Sequence, residues 1–87
     1  MNRKHKATVR AIFDKPTRAN IKFSDIEKLF ISLGGVLHEG KGSAIRISFP
    51  EGTKYDQHRP HPGKEAKRYQ VEDARKILEF LGVEPDE

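Results

Sequence analysis

The stretch SAIRISF, residues 43–49, alternates in polarity from one residue to the next. Ile45, Ile47 and Phe49 fall on one side of an extended chain, and Ala44, Arg46 and Ser48 fall on the other. A strand of this kind belongs to a sheet with one dry face and one wet face. The dry face needs a cover, and the wet face is open to a partner. With 87 residues and a hydrophobic fraction of 34%, the chain suffices for one compact domain with a thin core.

The rest of the pattern supplies the cover. Residues 4–14 read as a short helix with Val9, Ile12 and Phe13 on one face, stopped by Pro16. A connector, PTRANIKF, leads to a second helix beginning at Ser24. SDIE there reads as a capping box, in which the Ser24 hydroxyl takes a free backbone N–H and Glu27 reaches back. Its stripe is Ile26, Leu29, Phe30 and Leu33, and Gly34-Gly35 ends it. Val36 and Leu37 read as a short strand, HEGKGS as a hairpin turn, and residues 53–58 as a third strand with Tyr55 and Gln57 on one face and Lys54, Asp56 and His58 on the other. Pro60 and Pro62 end the pairing, since neither has an N–H. A last helix over residues 70–81 carries Val71, Ala74, Ile77, Leu78 and Leu81, and Gly82 closes it. The expected fold is a small α+β sandwich: a three-stranded antiparallel sheet with helices on one face. One domain over residues 1–87 is expected, with an N-terminal helical extension over 1–20 and a core over 21–83.

Formal net charge is +4, which favours a polyanionic partner, although charge of this size also serves solubility. There is no cysteine, so disulfides and thiolate metal sites are excluded. His58 and His61 are spaced H-x-x-H on a proline-rich loop, with no second ligand pair to complete a zinc site. GKGS, residues 40–43, is too short for a phosphate loop and joins two strands. No cofactor is called for. No stretch is long enough to span a bilayer and the basic start has no signal-peptide core, so a cytoplasmic location is expected, with no membrane partner.

The basic residues gather where an RNA backbone can lie. Lys41 sits at a turn, Arg46 on the wet sheet face, and Arg59, Lys64, Lys67 and Arg68 in HRPHPGKEAKR, residues 58–68, and its junction with the last helix. Contacts to RNA of this kind are mainly to phosphate and 2′-OH. A histidine beside them suits acid–base cleavage, because imidazole gives or takes a proton near neutral pH. Equally, His58 and His61 in such a loop can simply pack on prolines or bind a phosphate.

LGGVLHEGKGSAIRISF, followed by HPGKEAKRYQVEDARKILEFLGV, resembles the HicA family. These are small mRNA interferases, the toxins of bacterial type II toxin–antitoxin pairs. The resemblance covers about residues 21–83, most of the chain. The opening, with Lys4-His5, Ile12-Phe13, Pro16 and Asn20-Ile21, resembles a longer branch of that family. The matching pieces are Gly34-Gly35, Gly42-Ser43, and His61 with Lys64-Glu65. The resemblance implies a fold like a double-stranded-RNA-binding domain, here with an extra N-terminal helix. It also implies metal-independent endoribonuclease activity on mRNA and a HicB-like antitoxin as partner. Lys41, Ser43, Arg46, Arg59, Lys64, Lys67 and Arg68 are then the RNA-facing set.

One position departs from the family pattern. The family's catalytic histidine follows the Gly-Ser pair, and here that residue is Ala44, whose methyl group cannot transfer a proton. Three readings stand side by side. Ala44 is an engineered inactivation; or it marks a natural branch that binds without cutting; or His58 or His61 supplies the missing proton transfer. A nucleic-acid-binding module without chemistry is the alternative function.

Overall fold

The computed structural model describes residues 1–85; the last two positions of the expected domain lie outside the described residues. The elements run α1 (Arg3–Phe13), α2 (Phe23–Ser32), β1 (Val36–Glu39), β2 (Ala44–Ser48), β3 (Lys54–His58) and α3 (Arg68–Phe80). The strands form one antiparallel sheet in the order β1-β2-β3. This is the expected α+β architecture, a three-stranded antiparallel sheet with helices on one face, and α1 is added in front.

The alternation in β2 decides the layers. Ile45, Ile47 and Phe49 are buried with Tyr55 of β3, against Phe23, Ile26, Leu29 and Phe30 of α2 and Val71, Ala74, Ile77 and Leu78 of α3. Phe30 is the hinge of this packing: its ring meets Tyr55 edge-on at 4.9 Å and Phe49 edge-on at 5.6 Å. Such pairs add stabilisation beyond the area they bury. The other face carries His38, Ala44, Arg46, Ser48, Lys54, Asp56 and His58, and no helix of the described residues covers it. Gly34-Gly35 performs two tasks. Gly34 takes φ +99°, and Gly35 lies so close to the sheet that a Cβ there would stand 2.5 Å from the Ile47 Cγ2.

Most boundaries lie within a residue or two of the sequence reading, and three of the differences have a visible cause. The SDIE capping box is not formed: α2 starts one residue earlier, at Phe23, and its N-cap Lys22 makes no side-chain cap. The start is set from outside the helix. Phe23 is drawn into the core, its N–H donates to the Lys64 carbonyl at 3.0 Å, and Lys22 forms a bridge with Glu65. At β1 the strand runs on through His38 and Glu39, which pair with Arg46 and Ile45. The third change is at α3, which starts at Arg68 because the buried Gln70 takes the Lys67 N–H on its Oε1 at 2.9 Å.

The first helix is capped by Asn2, whose Oδ1 accepts the His5 N–H at 2.7 Å, a favourable N-cap residue. It packs on α2 and α3 and buries Val9 and Ile12 there. Arg75 of α3 closes its other end. The guanidinium donates to the Ile12 carbonyl at 2.9 Å and to the Asp14 carbonyl at 3.2 Å. These are carbonyls that a helix C-terminus otherwise leaves without partners.

Tyr55 gives a test of the core. It is 1% exposed, and its hydroxyl donates to the Gln70 carbonyl at 2.8 Å. Burial, and then the charge of Asp73, push its ionisation far above the ordinary 10.0. The folded state thus favours the neutral phenol, so its contribution is complete below pH 10.0 and is lost as pH rises beyond it. Tyr55→Phe should lower stability by about 0.5–1.5 kcal/mol near neutrality. The gap between the two chains should narrow above pH 10.0. Urea melts at neutral and alkaline pH check this; a gap of constant size would clear Tyr55 of any part in alkaline unfolding.

Candidate functional site

The site lies at the end of the sheet where the β1–β2 turn meets the loop after β3. The Gly40 N–H donates to the Ala44 carbonyl at 2.8 Å, and Gly42 takes φ +59° to turn the chain. That turn presents Lys41 and Ser43 at its exposed rim. Ala44 opens β2 and pairs across the sheet with His58, the last residue of β3. The Arg59 N–H donates to the Ser43 carbonyl at 2.8 Å. This bond makes Ala44 and His58 a non-hydrogen-bonded pair, whose Cβ atoms stand about 4.5–5.5 Å apart. On the open face the His58 Nδ1 lies 3.2 Å from the Ser43 Oγ. Beside them is a hollow of about 280 Å³ lined by Ala44, Ile45, Asp56, Gln57 and His58.

The loop that follows is pinned at both ends. At its start, Arg59 grips Glu27 of α2 through Nε and Nη2, both at 3.0 Å, and Glu39 of β1 through Nη1 at 2.7 Å. Those two carboxylates, Glu27 first, raise its pKa and keep the guanidinium charged. At its end, the Ala66 N–H donates to the Ile21 carbonyl at 2.7 Å and Ala66 is buried. Between these anchors His61, Pro62 and Gly63 form an exposed apex.

The sequence-predicted residues therefore separate into groups. Ser43, Ala44 and His58 come together. Arg46 is bound by both nitrogens of its fork to Asp56, at 2.6 and 3.1 Å; the hydrogen bond from Arg46 holds the Asp56 carboxyl below its ordinary range. Arg59 is bound to Glu27 and Glu39. Arg68 reaches the Thr17 carbonyl at 3.4 Å. Among the described residues, Lys41, Lys64 and Lys67 have no carboxylate within ion-pair distance. His61 is exposed and makes no side-chain hydrogen bond or ion pair among the described residues. His38 lies on the same open face but farther along it, with Nε2 3.0 Å from the Ser48 Oγ. No three His, Cys, Asp or Glu side chains among the described residues converge to hold a metal. A larger hollow, of about 620 Å³ against Phe80, has no histidine or serine in its lining.

Sequence reading missed the residues that hold the site in place. Gln70 is 1% exposed, and its Nε2 donates to the His58 carbonyl at 2.8 Å. The signal for it was present: a glutamine in step with Ala74 and Ile77 on the apolar stripe of a helix. Glu27 was assigned to a cap, and Glu39 to a turn.

The Arg59 clamp is testable. Its side chain is 37% exposed and that of Glu27 only 12%, so removing the arginine strands a largely buried carboxylate. Because the arginine itself is partly hydrated, Arg59→Ala should cost about 1–2 kcal/mol, less than breaking a fully buried pair. Arg59→Lys should recover only part of this, since an ammonium cannot reproduce the two-nitrogen fork. Thermal melts check it: if Arg59→Ala melts with the parent chain, the clamp has no role in stability.

Compared with known proteins, the chain matches one family model, described as HicA toxin of bacterial toxin-antitoxin, over residues 23–83. The match begins at the first residue of α2, so α1 lies outside it. No curated protein and no solved structure matches the chain. No helix of the described residues is long and apolar enough to cross a membrane.

Proposed function

The chain belongs to the HicA toxin family, and we propose that it acts on RNA as an mRNA interferase whose family proton-transfer group is replaced by Ala44. A toxin of a toxin–antitoxin system has an antitoxin as its partner, and that much follows from membership. The finer reading is that the target is cytoplasmic mRNA and that the antitoxin is HicB-like. It would neutralise by covering the open sheet face around Ala44 or the loop over residues 58–68.

The observation that carries this reading is one juxtaposition. Ser43, Ala44 and His58 meet at one end of the sheet beside Lys41, and the loop that leaves His58 carries Lys64 and Lys67; among the described residues no carboxylate pairs with these three lysines. Phosphates at that end of the sheet would bring a ribose 2′-OH over the start of β2. Arg46 and Arg59 have internal partners, so the lysines are the better candidates for backbone contact. A second reading, binding without cutting, is favoured by Ala44 itself.

If the three lysines each contact a phosphate, replacing Lys41, Lys64 and Lys67 by alanine should flatten the salt dependence of RNA affinity. The log–log slope should fall by about 2, at about 0.7 per contact on a single strand. Filter binding over a salt series measures it; a slope equal to that of the parent chain takes the lysines off the interface.

At position 44, a side chain points over the open face, so Ala44→His should fold with little loss of stability. Metal-independent RNA cleavage should then rise by about 100- to 10,000-fold, the usual range for a positioned acid or base. Growth should slow when this variant is expressed without an antitoxin. Paired cleavage assays with EDTA decide the matter. A folded, RNA-binding histidine variant that cuts no faster than the alanine chain would leave the binding module as the better function.

A further inference from the structure

We propose that His58, oriented by Ser43, is the proton-transfer residue of this chain and acts on the 2′-hydroxyl of RNA. The inference rests on the RNA reading above and deepens it: the chemistry lost at position 44 is moved one step across the sheet.

Geometry selects His58 among the histidines. It is the cross-strand neighbour of Ala44, and in a non-hydrogen-bonded pair the two side chains rise side by side from the same face. An imidazole on β3 therefore reaches the space that one on β2 would occupy. Ser43 Oγ lies 3.2 Å from Nδ1, which fixes the ring, and Nε2 has no protein partner among the described residues. Below the ring the backbone is immobilised, with the His58 carbonyl on Gln70 Nε2 at 2.8 Å and the next residue, Arg59, clamped to Glu27 and Glu39. The other histidines fail one of these conditions. His38 has its Nε2 tied to Ser48, His61 has nothing to orient it, and His5 lies on α1, away from the open face.

The step balances without metal or cofactor. With Nδ1–H donating to Ser43 Oγ, Nε2 carries the lone pair. It takes the proton of the 2′-hydroxyl as the 2′ oxygen forms its bond to phosphorus. The bond from phosphorus to the 5′ oxygen breaks, and that oxygen takes a proton from water. The hydroxide so formed takes back the proton on the imidazolium. The products are a 2′,3′-cyclic phosphate and a free 5′-hydroxyl. In an Ala44→His chain the added ring would stand beside His58 and could protonate the leaving oxygen in place of water, which accounts for the rise in rate expected there. Ser43 acts as a positioning residue, through the ring it holds.

The test uses the full chain, a labelled single-stranded RNA and EDTA. The parent chain should cut slowly and leave 2′,3′-cyclic phosphate ends. His58→Ala should lower the rate by at least about 100-fold, while binding measured by fluorescence anisotropy stays within about threefold and melting is unchanged. His58→Gln, which keeps the bulk of the side chain, should be equally slow. Ser43→Ala should lower kcat and leave KM alone, whereas a merely structural serine would shift melting and binding instead. A 2′-deoxy residue at the cut site should block cleavage and not binding. If His58→Ala cuts like the parent, or if the parent binds RNA and never cuts, the proposal is overturned and an RNA-binding reading survives. If the parent does not bind RNA at all, that reading falls too.

Discussion

Gln70 joins the two halves of the molecule that the site depends on. It is buried, and its polar atoms all have partners: Oε1 takes the Lys67 N–H, Nε2 donates to the His58 carbonyl, and its main-chain carbonyl accepts from Tyr55. A buried amide is costly when any of its bonds is missing, so this arrangement tolerates little variation. One side chain thereby starts α3, ends β3 and fixes the chain direction into the loop. The distance between the β1–β2 turn and that loop is a consequence, because His58 is bound on one side to Ser43 and on the other to Gln70.

Charge on this surface is divided between holding and display. Arg46 and Arg59 look, by position, like cations offered to a polyanion, yet each is matched to carboxylates across strands or elements. Arginine suits that work, since its planar fork binds a carboxylate by two bonds. Lys41, Lys64 and Lys67 pair with no carboxylate among the described residues. A long, hydrated ammonium follows a phosphate backbone without demanding one geometry. The same net charge of +4 thus contains an internal part that shapes the loop and an external part that generates the field.

The layers were legible in the sequence because a single periodicity carries them. Ile45, Ile47 and Phe49 had to face inward together, and Gly34-Gly35 had to close a helix against them. Pairing order followed from the short turns. The capping box was misread because Ser24 and Glu27 satisfy a local rule that a tertiary contact overrides: Phe23 is pulled into the core and Glu27 is taken by Arg59, far along the chain. The site was half legible. HRPHP announced histidines and cations together, but which histidine is held depends on the register that sets His58 opposite Ala44. Register comes from backbone pairing, and nothing in the composition of the loop encodes it.

The Arg75 cap on α1 also orders events in time. It joins residues separated by 63 positions, and Gln70 likewise comes from the last helix. On a ribosome α1 is made well before α3, which supplies the side chain that completes its C-terminal end. Contacts between such distant segments form late, because the loop they close must first exist. The His58 carbonyl therefore gains its Gln70 partner, and α1 its Arg75 cap, only once α3 has emerged.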